Sequence, residues 1–475
     1  MDNYLHLFRH TRSKCKGGDN LAEEIEKFIH FSKVDFIDIR YETKTETQMQ
    51  YSSKELKEVG SNITDGYAVR ILHRGGMAGM AVTDFKDIKE AIGLLMGAAR
   101  LASSKNKKPV KLAPAPATKA NVKPKLANDP RKVPMEEKLD ILKTYNGLIL
   151  DQPDIKGTEL KYFEVNRQKH YMNSEGTDIS EELMTVGIAG EISAKRGTQV
   201  RNVRVSIGGA TGMASLLNRN DVFVKKVKIA RKLLDAKSIK GGKYDVILNP
   251  AMTGVFAHEA FGHLSEADGI EDKAQFRKRM RVGAKLGSEN ITIIADSTMP
   301  GNLGFYRYDD EGVAVRPITL IEKGVLKGRL HSRKTAASFN ESITGHCIAE
   351  DHGHLPIIRM GNIYVKPGKF KFSELLEAAK DGLYLCDAKG GQTNGENFTF
   401  GTQYGYRVRN GELGEMILDT NLMGNLFTTL KKIRAADNEL VFCERGGCGK
   451  GVQYNIKSAH GGPNMLITGA VVGGE

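Results

Sequence analysis

The chain has 475 residues, enough for two domains with real cores, of which 40% are hydrophobic, 27% charged and none Trp. No apolar run approaches the ~18 residues of a membrane-spanning helix, and the opening MDNYLHLFRHTRSKCKGGD holds no apolar core of export-signal length. A cytoplasmic protein is expected: five scattered cysteines (15, 347, 386, 443, 448) suit a reducing compartment and leave thiols free to bind metal.

The net charge of +13 invites a nucleic-acid reading, but most of it is local. Residues 103–134 hold eight Lys and one Arg against one Asp, and six of the 13 prolines. Such a Lys/Pro/Ala stretch reads as an exposed, partly extended loop rather than a binding arm.

In chain order, DNLAEEIEKFIHFSKV reads as a helix capped by Asp19 or Asn20, followed by strands VDFIDIRYE and TETQMQYSS. GYAVRILHRGGMAGMAVTD reads as a hairpin turned on Gly75-Gly76, and FKDIKEAIGLLMGAARLASS as a helix. After the basic loop come the helix MEEKLDILKTYNGLIL, strands over 158–209, and the helix RNDVFVKKVKIARKLLDA. The hairpin-then-helix pattern of 66–103 recurs faintly over 187–236, as an internal duplication would leave it. AKSIKGGKYDVILNP marks the expected boundary between an N-terminal domain, 1–236, and a C-terminal domain, 237–475. Beyond it, strand signals dominate around Lys323-Gly324 and Asn410-Gly411, with FSELLEAAKDG as the one further long helix candidate. The expected fold class is α+β: helices packed on an antiparallel sheet, then a mostly antiparallel β domain carrying one histidine-bearing helix.

That helix is NPAMTGVFAHEAFGHLSEAD, with Asn249 as N-cap and Pro250 at the first helical position. His258 and His263 stand five residues apart, one more than in the H-E-x-x-H motif of zinc proteases. In a regular helix that spacing leaves them about 140° out of line, whereas four apart is about 40° out. Both can reach one zinc only if the helix is wound locally to five residues per turn, or opened, and Gly262 weakens helicity where that distortion is needed. Candidate third ligands are Glu266 and Asp268 on the same helix, His352 and His354 in DHGHLP, and Cys448 in GGCGKG with Lys450 nearby to favour a thiolate. Spacing does not choose among them.

HEAFGH (258–263), DDEG (309–312), HLPIIRMGNIYV (354–365), GGQTNGENFTF (390–400), GYRVRNGEL (405–413) and CGKGVQ (448–453) occur in the order expected of the TldD/PmbA family of zinc metallopeptidases. The N-terminal GYAVRI (66–71) also resembles that family, so the likeness covers roughly residues 18–475 apart from 103–134. The resemblance implies that His258, His263 and Cys448 bind Zn2+ with Glu259 as general base, and places the chain on the TldD-like, catalytic side. Three protein ligands leave a fourth position for water. The resemblance also implies action on unfolded, leader-type or modified peptides, and the many C-terminal strands suggest a substrate held as an added strand. A homodimer, or a heterodimer with a TldE/PmbA-like paralogue, follows from the same source. His354 and Arg359 are candidate oxyanion donors, and His460, in a stretch that departs from the family's tail, has no assigned role. The competing readings are a non-catalytic binding module associated with gyrase or nucleic acid, and a metal hydrolase of small amides.

Overall fold

The computed structural model describes residues 18–473 apart from Ser32, Lys107 and Arg445; Cys15 and the opening residues read for an export signal lie outside them. The first half is built on one sheet. Helix α1 (Gly18–Phe31) precedes three strands, β1 (Phe36–Ser52), β2 (Glu55–His73) and β3 (Gly76–Val82), and helix α2 (Ile88–Lys105). After strand β4 (Lys119–Val122) the pattern repeats: α3 (Met135–Leu150), β5 (Ile155–Asn173), β6 (Asp178–Arg196), β7 (Gln199–Gly209) and α4 (Asn220–Lys232). The strand order is β3-β2-β1-β5-β6, with β7 on β6, and β1 runs antiparallel to β5 at the centre. Each repeat is therefore a helix, a three-strand meander and a helix, and the duplication is clearer in topology than in sequence. Each repeat has its own core: Ile37, Ile39, Val69 and Ile71 under α1 and α2, and Leu160, Tyr162, Val186 and Ile188 under α3 and α4. α1 begins at Gly18, ahead of the expected cap.

The Lys/Pro segment is extended, as expected, but it is pinned rather than free. β4 pairs in parallel with the first residues of β6, and Ala113 N–H donates to the Arg333 carbonyl at 3.0 Å. A chain with few apolar residues can still be held by its backbone groups, which is what happens here.

The second half starts with strand β8 (Gly242–Leu248), which runs into helix α5 (Pro250–Val255). β8 lies between strands Leu383–Asn394 and Met465–Gly473 in a sheet that also holds Asn421–Asn425, Asn397–Arg409 and Glu412–Ile417. Because Leu383–Asn394 also pairs with Asn397–Arg409, this sheet curls into a closed ring. A second sheet runs through Ile293–Ala295, Asn362–Val365 and Ala459–Gly462. α5 and its continuation pack between the two sheets, in one core with Val246, Phe398, Phe400, Ile363 and Ile467. The class is thus α+β, with antiparallel pairing dominant.

The halves meet through buried charge. The DDEG residues Asp309, Asp310 and Glu311 are each 3% exposed; Asp309 accepts backbone N–H groups of its own loop and of Cys347, and Asp310 and Glu311 face the first sheet. Lys169 reaches Asp310 at 3.0 Å, Arg70 reaches Glu311 at 3.0 Å, and Arg70 also pairs with Asp38. Removing one partner of such a network strands a buried charge, at about 3–5 kcal/mol. This motif joins the two halves and supplies nothing to the histidine helix.

Candidate metal centre

The helix widens where the histidine spacing requires it. Asn249 caps α5 by accepting the Met252 N–H at 3.0 Å, Pro250 is the first helical residue, and Phe256–Gly262 is wound as a π-helix. Packing offsets the poorer backbone geometry. Phe256 and Phe261 are fully buried, and Phe256 meets Phe398 edge-on at 5.7 Å. Full burial of each ring is worth roughly 1.5–3 kcal/mol.

Gly262 serves for a reason different from the one read in sequence. Its φ of −57° is ordinary helix, but a Cβ there would collide with Sδ of Met360 and lie 3.0 Å from Ile363. The glycine lets strand Asn362–Val365 approach the π-turn closely. Gly262→Ala is expected to lower stability by about 1–3 kcal/mol through overpacking, and to weaken zinc retention by shifting His263. Urea unfolding and zinc content after dialysis would check this; unchanged values for both would show that Met360 simply moves aside.

The wide turn brings His258 and His263 within 5.2 Å, ring centroid to centroid. Cys448, 185 residues further on, places Sγ 3.3 Å from Nε2 of His263. One donor atom from each of His258, His263 and Cys448 lies within 4.8 Å of the others. His258 is 3% exposed, and its Nδ1 is buried without a hydrogen-bond partner. An orphaned imidazole nitrogen beside a second imidazole and a thiol suits a soft-to-borderline cation such as zinc.

The surroundings order these donors. Nδ1 of His263 lies 3.2 Å from the Glu266 carboxylate, the kind of contact that fixes a ligand's orientation. Burial disfavours a charged His263, but hydrogen bonding to Cys448 and Glu266 outweighs it and holds the pKa up at about 10. Burial, reinforced by His263, His460 and Arg359, pushes His258 well down, so it is a neutral donor. Lys450 does not attend the thiol: its Nζ binds Glu266 at 3.0 Å and Asp268 at 2.7 Å, and donates to the Ile358 carbonyl at 3.1 Å. Glu266 and Asp268 are therefore supporting groups. Among the described residues, His352 and His354 do not join the cluster; His354 instead holds Asp351 at 2.7 Å, and its carbonyl accepts from Arg40.

Glu259 places a carboxylate oxygen 3.6 Å from Nε2 of His263, with its side chain 27% exposed. Burial raises its pKa above the usual carboxylate value. Gly391 lies against it, since a Cβ there would sit 3.2 Å from the Glu259 Cγ, and Thr393 donates to the Glu259 carbonyl at 3.0 Å. His460 packs 5.7 Å from the His258 ring, and burial pushes its pKa down to about 4. Arg359 is fully enclosed, with all three guanidinium nitrogens unpartnered, and its charge bears on His258, Glu259 and Glu266. Sequence reasoning did not find Gly391, Thr393 or the Lys450–Asp268 pair, whose roles exist only once distant segments meet.

Comparison with known proteins identifies the family to which a fold with these donors belongs. The sequence matches the PmbA/TldA metallopeptidase family over domain 1 (residues 37–99), the central domain (128–236) and the C-terminal domain (241–474). The chain belongs to this family. A metalloprotease of Synechocystis sp. is 33% identical over 94% of this chain and 96% of its own. The zinc metalloprotease TldD homolog of Saccharolobus solfataricus is 29% identical over 92% of this chain and 96% of its own. In fold, the chain is similar to TldE from Thermococcus kodakarensis, with a TM-score of 0.75 at 18% identity over 95% of this chain and all of that one.

Proposed function

We propose that the chain is a zinc-dependent peptidase of the HExxxH type that hydrolyses peptide bonds in unfolded, leader-type or modified peptides. His258, His263 and Cys448 hold the ion and Glu259 is the general base. The observation that carries this reading is the convergence of two imidazoles and a thiol beside one carboxylate. When bound, zinc polarises the scissile carbonyl and makes water easier to deprotonate. Glu259 then accepts the proton of the attacking water at its carboxylate and delivers it to the leaving amine. A carboxyl pKa raised by burial suits both halves of that transfer. Glu266 fixes the His263 ring, and Lys450 neutralises Glu266 and Asp268. Arg359, sealed from contact with substrate, contributes a fixed positive charge behind the reacting centre rather than an oxyanion hydrogen bond.

Strand Leu383–Asn394 suggests how a peptide is held. Only Leu383–Leu385 pair with β8, so beyond Leu385 the strand has one edge without a strand partner among the described residues, and that stretch includes Gly391 and Thr393 beside Glu259. An extended peptide can add to such an edge through its backbone and be read with little regard to side chains. We divide the chain at 236/237 and place the working enzyme in the cytoplasm as a dimer, of two copies or with a TldE-like paralogue. No described helix is long and apolar enough to cross a membrane. Chelating the metal is expected to stop cleavage of an unfolded protein labelled with a quenched fluorophore, and one equivalent of zinc to restore it. Hydrolysis that survives complete metal removal would sink this reading.

A further inference from the structure

Beside the hairpin that carries Cys448, a cavity of about 60 Å³ opens at the junction of the two halves. Its walls are mostly apolar, from Val165, Leu183, Leu303, Phe305, Ile348 and Ile456. Four charged residues also line it: Arg167, Lys169, Asp310 and Lys457. Three of them are already committed. Arg167 makes a two-pronged contact with Glu42 at 2.8 and 2.9 Å. Lys169 lies between Asp310 and Glu181, at 3.0 and 3.2 Å. Asp310 also accepts the Ala349 N–H at 2.7 Å and faces Arg40 at 3.4 Å.

Lys457 is different. Among the described residues it has no hydrogen-bond or ion-pair partner, and its ammonium rests only over the Phe163 ring at 5.0 Å. Burial pulls its pKa below the usual lysine value, with Lys44 adding to the effect and Glu46 and Glu350 opposing it. Lys457 is half-buried, so its ammonium stands at the rim of an apolar cavity, free to pair with an anion that enters.

We propose that this cavity is a substrate subsite for a carboxylate on a short aliphatic stem, with the charge on Lys457 and the stem against the apolar walls. The proposal rests on the peptidase reading above. A glutamate side chain or the peptide's own C-terminal carboxylate supplies that chemistry. Size limits the occupant: a water needs ~10–15 Å³ on this measure, so the cavity takes about four to six small groups, not a length of peptide. Position links it to the chemistry, because Ile456 in its wall is the register partner of Cys448. Paired strands lie ~4.8 Å apart, which puts the subsite within about two or three extended residues of the metal ligands.

The first test uses glutarate and its neutral analogue glutaramide on the full-length protein, zinc-loaded and metal-free. Glutarate is expected to raise the Tm and to bind by calorimetry in both metal states, glutaramide to do neither. Lys457→Met and Lys457→Gln lose the response, and Lys457→Arg keeps it. No response in the wild type, or an undiminished one in a correctly folded Lys457→Met or Lys457→Gln, overturns the subsite whatever the peptidase does. The second test compares three peptides of one sequence: amidated with Glu, amidated with Gln, and Gln with a free C-terminus. A kcat/KM at least about tenfold higher for the first identifies a side chain as the source, and for the third the terminus. In Lys457→Met either preference collapses to within about twofold; equal rates for all three peptides in the wild type overturn the proposal. If glutarate binds but zinc-loaded protein cleaves none of them, the peptidase reading fails, and with it the assignment of the cavity as a substrate subsite.

Discussion

Glu259→Gln is expected to keep its zinc and to lose peptide hydrolysis by about 10²–10⁴-fold. The two side chains have nearly the same volume: Gly391 packs on Cγ, Thr393 binds the backbone carbonyl, and the amide can keep the 3.6 Å approach to Nε2 of His263 without the ionic attraction. The carboxylate that accepts the proton is lost. Zinc content measured alongside kcat separates this outcome from a damaged site, because a variant that loses both metal and activity says nothing about a base. Full activity in zinc-replete Glu259→Gln would eliminate Glu259 as the proton acceptor.

Cys448→Ala is expected to weaken zinc binding by on the order of 10²–10³-fold, one donor's share of the ~10–16 kcal/mol that four donors contribute in structural zinc sites. Dialysed protein should then hold far less than one equivalent and be inactive, while its fold, built mainly on the three large cores described above, is retained. Glu266→Ala is the matching control. Its carboxylate orients His263 and pairs with Lys450, so its loss should weaken zinc by about 10–100-fold without emptying the site. If Glu266→Ala empties the site and Cys448→Ala does not, the third donor lies on the helix and the assignment is wrong.

Sequence made parts of this molecule legible and hid others for identifiable reasons. The α+β class followed from strand and helix periodicity, and the widened turn from the angular mismatch between His258 and His263. The first sheet was underestimated. β1 runs unbroken from Phe36 to Ser52, and β2 begins at Glu55, eleven residues before GYAVRI. Residues 55–63 are exposed throughout, so the outer end of that hairpin has no apolar alternation to read. β4 was missed because backbone bonds hold it rather than side chains. At the site, His258, Glu259 and His263 could be read from local spacing. Nothing local tied Cys448 to them, or Lys450 to Asp268 across 182 residues; the link for Cys448 came from the family likeness.

The distance between the histidines and Cys448 also sets when the site can exist. At ~5–20 residues per second, a ribosome needs about 10–40 s to extend the chain from His263 to Cys448. Throughout that interval the emerging polypeptide carries both imidazoles but lacks Cys448, the thiol that meets them in the fold. Segments made later still, Ala459–Gly462 and Met465–Gly473, also join the two sheets that enclose α5. A hydrolase for unfolded polypeptide would be a hazard if it awoke while still unfolded itself. Under the assignment proposed above, a donor made 185 residues after the histidines makes the assembled fold the condition for zinc chemistry.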